Sequence, residues 1–218
     1  MDSFEVSRLN KVRRSDRGIY DRAAIHALLD DAFVAHVGFI DAGRPIVVPM
    51  VYGRSGDRLY IHGAKAARFA KTLAQSVPVC ITVTLMDGIV VARSAFHMSA
   101  NYRSAVLHGA ANLVTDPAEV QEALTAITNH MVPGRWSEAR PVLEKEIKAT
   151  SVLRVEVEAA SMKQRQGNPI DDDEDYDLPI WAGIVPVRIT AAGPQDDGRV
   201  LPGVGMPASV SKLVSKLR

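Results

Sequence analysis

Three apolar runs follow one another between Phe33 and His62 with only short glycine turns between them: FVAHVGFI, PIVVPMVYG and RLYIH, separated by DAGR and RSGD. Runs rich in β-branched residues and bounded by glycine and aspartate read as antiparallel strands in hairpin succession. VPVCITVTL and GIVVAR, on either side of an MDG turn, read as two more strands, and YRSAVLHGAANLV and TSVLRVEVEAA as two long ones. Helical signals are fewer. Asp21 to Ala32 places Ile25, Leu28 and Leu29 on one face. Asp116-Pro117-Ala118-Glu119 offers an N-cap, a proline at the first helical position and a glutamate placed for a capping box. VLEKEIKA reads as a short helix. Strands joined mainly by turns, without regular alternation with helices, exclude a doubly wound sheet. They predict a mainly β fold, a β-barrel with helical additions.

A chain of 218 residues, 47% of them hydrophobic, can bury a substantial core. The glycine- and proline-rich stretch from Ala191 lies too near the C-terminus to separate a second domain. Residues 1–218 therefore read as a single domain, with a core over about 21–190 and a C-terminal extension over 191–218. In that extension PASVSKLVSKLR has the pattern of a short amphipathic helix, while IDDDEDYD (170–177) reads as a solvated acidic loop. A net charge of +1 without a basic block gives no electrostatic argument for nucleic acid. The single cysteine, Cys80, excludes an intramolecular disulfide and points to a reducing compartment. No signal peptide or bilayer-length apolar run is legible, so a cytoplasmic protein without a membrane partner is expected.

The stretch YIHGAKAARFAKTL passes from strand to helix near Ala64, with Gly63, Lys65 and Arg68 at the joint. A helix start with two cations beside it suits an anion, phosphate above all, and Gly63 allows close approach of the backbone. An ordinary amphipathic helix with solvated cations fits the same residues. A second stretch, ARSAFHMSANYRSAVLHG, packs Ser94, His97, Ser99, Asn101, Tyr102, Arg103 and Ser104 between two apolar strands. That density of donors and acceptors suits a binding loop, and equally a polar rim or dimer contact with Arg103 in a structural ion pair. The six histidines show no HxxxH or HExxH spacing and there is no CxxC, so no metal site is expected. His62 and His97 flank the candidate regions, and a lone histidine can serve as an axial haem ligand. Trp181 precedes a glycine in a late strand and offers a flat aromatic surface with one donor.

Taken in order, YIHGAK with Arg68, ARSAFHMSANYRS, and SMKQRQG followed by WAG and a proline resemble the pyridoxamine 5′-phosphate oxidase-like split-barrel flavoproteins. Within that family the motifs resemble the subgroup that includes the nitroimidazole-resistance proteins. The resemblance runs from about Ala24 to Val187. It implies a six-stranded antiparallel split barrel that binds FMN at the interface of a homodimer. It also implies that Val48, Pro49, Met50 and Val51 lie along the flavin ring, and that Tyr60, Ile61, His62 and Gly63 approach it. Lys65 and Arg68 then hold the phosphate, and Asn101, Tyr102, Arg103, Ser104 and Trp181 complete the site. His97 and Tyr102 are the candidate proton donors, and Arg103 or Lys163 the candidate cation near the ring. Two departures stand out. Ala66-Ala67-Arg68 replaces the family's Gly-basic-Lys run, and VPVRIT lacks the histidine of the R-x-H pattern used in vitamin B6 synthesis. The expected function is an FMN-dependent oxidoreductase acting on a small acceptor, nitroaromatics among the candidates. The alternative is a flavin- or haem-binding sensor without turnover.

Overall fold

The computed structural model describes residues 2–217. Its strands are β1 (Gly18–Ile19), β2 (Val34–Asp41), β3 (Arg44–Val51), β4 (Gly53–Ser55), β5 (Arg58–Ala64), β6 (Gln75–Val91), β7 (Ser99–Leu113), β8 (Thr150–Arg165) and β9 (Gly183–Pro186). The helices are α1 (Arg22–Asp31), α2 (Arg68–Leu73), α3 (Pro117–Met131), α4 (Arg135–Glu138), α5 (Glu144–Ala149) and α6 (Ala208–Lys216). Among the described residues the strands form one nine-stranded sheet of order β3-β2-β6-β7-β8-β5-β4, with β1 on β8 and β9 on β6. The mainly β expectation holds, but the sheet has nine strands where six were expected. β2, β3, β5, β6, β7 and β8 are the long ones, and β1, β4 and β9 add two, three and four residues.

Two sequence expectations fail inside this sheet. MDG is no turn, because β6 runs unbroken from Gln75 to Val91. Buried positions shift from Val79, Ile81 and Val83 to Gly88 and Val90, as one extra residue in the strand would produce. Gly88 answers to the neighbouring strand instead: a Cβ there would lie 3.0 Å from Ile184 and 3.2 Å from the Val185 carbonyl. PIVVPMVYG, in turn, is split into β3 and β4 at Tyr52, which is fully buried with its ring 4.5 Å from that of His130.

The chain falls into two compact units, each taking three separate stretches. One comprises the chain up to Ala35, Cys80–His108 and Glu158–Arg188; the other comprises His36–Val79, Gly109–Val157 and the chain from Ile189.

In the first unit Asp21 caps α1 by accepting from the Ala24 N–H at 2.8 Å, and Ile25, Leu28 and Leu29 are buried as their spacing predicts. The polar N-terminal arm is tied down. Asn10 donates to the carbonyls of Glu5 (2.9 Å) and Ala160 (3.0 Å), and β1 pairs Gly18 with Lys163 and Ile19 with Met162. The acidic loop is only partly solvated, which corrects its reading as a surface run. Asp171 is buried and accepts from the Arg93 amide (2.9 Å), the Ser94 amide (3.4 Å) and the Arg93 guanidinium (3.1 Å).

Burial alone would raise the Asp171 pKa, but the Arg93 and Ser94 donors outweigh it and hold the carboxyl below its usual 3.8. A depressed carboxyl contributes stability above its unfolded pKa and loses it as pH falls through the folded value. Urea midpoints should therefore fall more between pH 5 and 2, a window set by about 3.8 unfolded and a lower folded value, in the wild type than in Asp171→Asn. Parallel pH profiles for the two proteins would show that the pair contributes nothing.

In the second unit the sheet order starts at β3 and ends at β4, and Tyr52 alone separates these two strands in sequence. β5 lies between β4 and β8, pairing Gly53 with Tyr60 on one side and Arg58 to Ala64 with Glu156 to Thr150 on the other. α3 packs on β4 and β5, where Ala123 and Ile127 bury against Tyr60, Val114 and Val152. A buried isoleucine of this kind contributes about 1.5–3 kcal/mol. Asp116 caps α3 as expected, accepting from the Glu119 N–H at 3.1 Å. The capping box does not close on the other side. The Glu119 carboxylate instead accepts from Arg154 Nη1 on both of its oxygens (2.9 and 3.0 Å) and from the Tyr60 hydroxyl (3.1 Å). A hydrogen bond from a charged guanidinium is stronger than one from a cap amide. In the C-terminal extension, α6 forms where the amphipathic pattern predicts it.

Candidate functional site

The predicted phosphate anchor lies in the second unit. The helix there begins later than the sequence suggests. β5 continues to Ala64, held by its pairing with Thr150 and by the Lys65 N–H donating to the Ala149 carbonyl at 2.9 Å. A turn closed by the Ala67 N–H on the Ala64 carbonyl (2.9 Å) follows, and α2 starts at Arg68 with Ala67 as N-cap. Ala67 has no side chain with which to cap it. Lys65 and Arg68 are both exposed on this joint. Asp41 braces Arg68 through Nε at 3.2 Å while accepting from the Thr72 hydroxyl at 2.9 Å. That contact leaves the two terminal guanidinium nitrogens of a side chain 74% exposed for an anion.

Gly63 has a different reason from the one the sequence suggested. A Cβ there would lie 2.2 Å from the Phe69 ring, so the glycine admits an aromatic side chain of α2. Tyr60 and Ile61 are wholly buried in the core, and burial together with the Glu119 carboxylate raises the Tyr60 phenol above its usual range. Those two side chains face the interior, so only their backbone belongs to the surface of β5. His62 is partly buried, and burial lowers its pKa, so its ring is neutral at neutral pH. Among the described residues its Nδ1 is buried without a hydrogen-bond partner. On β3, Pro49 is exposed beside the exposed Val47, Val48 and Val51 are half-buried, and Met50 is in the core.

The other predicted residues lie in the first unit. Asn101 is buried; it accepts from Arg165 Nη1 and donates to the Gly167 carbonyl at 3.1 Å. Lys163 Nζ stands 6.0 Å from the centre of the Tyr102 ring. Arg103 sits in a structural ion pair, bonded to Asp31 (3.0 Å) and to Asp87 (3.0 and 3.2 Å). The Ser104 and Thr84 hydroxyls share a hydrogen bond of 2.9 Å. His97 Nε2 lies 3.2 Å from an Asp172 carboxylate oxygen, with its ring edge-on to Phe96. Trp181 is 66% exposed just before β9, and its indole folds over Gly183, where a Cβ would lie 2.9 Å from the ring. The W-x-G spacing thus has a local cause: only glycine leaves room for the ring.

These two groups fit the order and spacing of one known fold. The family model of pyridoxamine 5′-phosphate oxidase matches residues 21–164. The chain belongs to this family. Among solved structures, the flavocytochrome Anf3 from Azotobacter vinelandii is 41% identical, with a TM-score of 0.88 over 97% of each chain. The FAD and haem binding protein from Mycobacterium smegmatis is 36% identical, with a TM-score of 0.86 over 90% of this chain and 96% of that one. A candidate 5-nitroimidazole antibiotic resistance protein from Bacteroides thetaiotaomicron is 26% identical, with a TM-score of 0.58 over 67% of this chain and 85% of that one. A comparison with curated proteins finds no match.

The pyridoxamine 5′-phosphate oxidase family match covers Lys65 and Arg68 but ends one residue before Arg165, leaving Trp181 and Asp171 outside it. Sequence reasoning missed Asp41, Asp31, Asp87, Arg165 and Asp171, the residues that fix the predicted site side chains and their loop. Their partners stand far off in sequence: 64 residues for Arg165 and Asn101, 78 for Arg93 and Asp171. No local pattern marks such pairs.

Proposed function

We propose that the protein is a flavin-dependent oxidoreductase of the cytoplasm, with FMN as its simplest cofactor and a small molecule as its electron acceptor. The observation that carries this reading is the joint after β5, where exposed Lys65 and Arg68 stand together and Asp41 braces Arg68 through Nε. Two cations so placed suit a phosphate. The exposed Val47 and Pro49 supply an apolar edge on which a flavin ring can lie. Asn101 to Ser104 and Trp181 complete the site across a homodimer. A bound flavin supplies the electron transfer, while the chain supplies the slot, the anchor and the surrounding field. Arg103 is already matched by Asp31 and Asp87, which leaves Lys163 beside Tyr102 as the cation for the ring. His97, held by Asp172, and Tyr102 are the proton donors, and nitroaromatics head the list of acceptors to assay.

The visible spectrum of the purified protein, before and after desalting with added FMN, tests this reading. A retained flavin band that NADH or NADPH reduces is expected. A colourless protein that ignores added FMN overturns it.

A second reading adds haem to the flavin. Two relatives over 35% identical are named as a flavocytochrome and as a FAD and haem binding protein. His62 supports it, because an iron ligand must be a neutral imidazole and burial keeps this one neutral. Haem added to the wild type should give a sharp Soret band that His62→Ala shifts or abolishes. A band that His62→Ala leaves unchanged removes His62 from this role.

A further inference from the structure

The C-terminal extension takes no part in the flavin reading, and the family match ends before it, at residue 164. Within the second unit it forms a strap beside α4, fastened at its two ends. The Ala191 N–H donates to the Leu217 carbonyl at 3.1 Å. The Glu138 carboxylate accepts from the Ser209 amide (3.1 Å) on one oxygen and from the Ser209 hydroxyl on the other. Between these ends, among the described residues, the hydrogen bonds of the strap close only its own turns: Gly198 on Asp196, Arg199 on Asp197 and Val204 on Leu201.

Between the strap and α4 lies a cavity of about 670 Å³, lined in part by Val132, Val200, Val204, Met206, Pro207 and Val210. That volume suits a small molecule. No aromatic ring and no histidine lines it, so it offers neither a stacking surface for a flat ring nor a nitrogen ligand for iron. Its walls are aliphatic, and Val200, Val204 and Met206 are still 48%, 61% and 56% exposed. An aliphatic chain seated there would remove its own apolar surface and that of the strap from water.

Three charged groups border the cavity: Arg135, Glu138 and Asp196. Arg135 and Glu138 offset each other at 3.8 Å, and Ser209 occupies both Glu138 oxygens. Asp196 is left over. It accepts from the Gly198 amide at 2.8 Å, and among the described residues no cation pairs with it. The cavity is thus an aliphatic chamber with one unmatched negative charge.

We propose that this cavity binds an amphiphilic amine, an aliphatic chain ending in a protonated nitrogen. The valines and Met206 enclose the chain, and Asp196 holds the ammonium head. An ionised carboxylate only accepts hydrogen bonds and an ammonium only donates them, so the pairing favours an amine over an alcohol. Asp196 and Glu138 together repel a carboxylate head.

Calorimetric titration with butyl-, hexyl- and octylammonium, octanol and octanoate, all below their micellar concentrations, tests this. The proteins are the wild type, Asp196→Asn and Val204→Trp, with a thermal melt of each as the control for folding. Amine affinity should rise about fourfold per added methylene, the ratio that burying one CH₂ group gives. Octylammonium should bind about fivefold more tightly than octanol, the upper range for an exposed ion pair, and octanoate more weakly than either. Asp196→Asn should bring octylammonium down to the octanol affinity. Val204→Trp, which puts a larger side chain into the wall, should weaken both alike. Octylammonium that fails to bind the wild type, or binds no better than octanoate, overturns the proposal. So does an affinity that ignores chain length, or one that both variants leave unchanged.

Discussion

The Lys65→Ala/Arg68→Ala double variant is expected to lose its flavin on desalting while melting at the wild-type temperature. A hydrogen bond to a charged group contributes about 1.5–3 kcal/mol. Two such contacts to one phosphate would together supply about 3–6 kcal/mol, and each 1.4 kcal/mol is tenfold in affinity. The Arg68 share is smaller than this, because its side chain is 74% exposed and Asp41 competes for it. A loss of about 100-fold in flavin affinity remains. Stability should not follow, since both side chains stand in solvent and the Arg68–Asp41 contact is a surface pair. Flavin fluorescence titration with a thermal melt reads both quantities. Wild-type affinity in the double variant would remove the phosphate from this joint.

The second large effect concerns stability alone. A Cβ at Gly53 would lie 2.4 Å from the Ile127 nitrogen and 2.5 Å from the Ala126 carbonyl carbon. Both are backbone atoms in the middle of α3, so no rotamer change relieves the clash. The helix must move off β4, and with it the contacts of Ala123 and Ile127 on Tyr60 and Val152. Overpacking costs typically 1–3 kcal/mol, and more where backbone must shift. Gly53→Ala should therefore destabilise by about 3 kcal/mol, read as a lowered urea midpoint. Gly43→Ala is the control for a clash, because a Cβ there meets nothing within 4 Å and only its positive φ of 75° opposes it. Equal midpoints for the two variants would show that α3 is not seated on Gly53.

Much of the local structure was legible. Asp21 and Asp116 cap the helices their positions announce, and Ile25, Leu28 and Leu29 occupy the buried face of α1. The strand runs all lie in the sheet, though in the order β3-β2-β6-β7-β8-β5-β4 and not that of the chain, and the motif order pointed to the family whose model matches the chain. Errors fell where two readings of one residue compete. Gly88 has the composition of a turn, yet it is a strand position crossed by β9. Glu119 has the spacing of a capping box, yet Arg154 takes it. Ala64 was read as a helix start, yet pairing with Thr150 keeps it in β5.

The sequence by itself determined the mainly β class, the helix starts at Asp21 and Asp116, and the stretches where binding residues gather. Alternation, capping and turn chemistry act over a few residues, so they are written in the order of the chain. Tertiary structure alone decided which charges are available. It placed Asp31 and Asp87 on Arg103, Asp41 on one edge of Arg68, and only neutral carbonyls on Arg165. A charge is matched or left over according to what folds beside it, and for these side chains the neighbours come from distant parts of the chain.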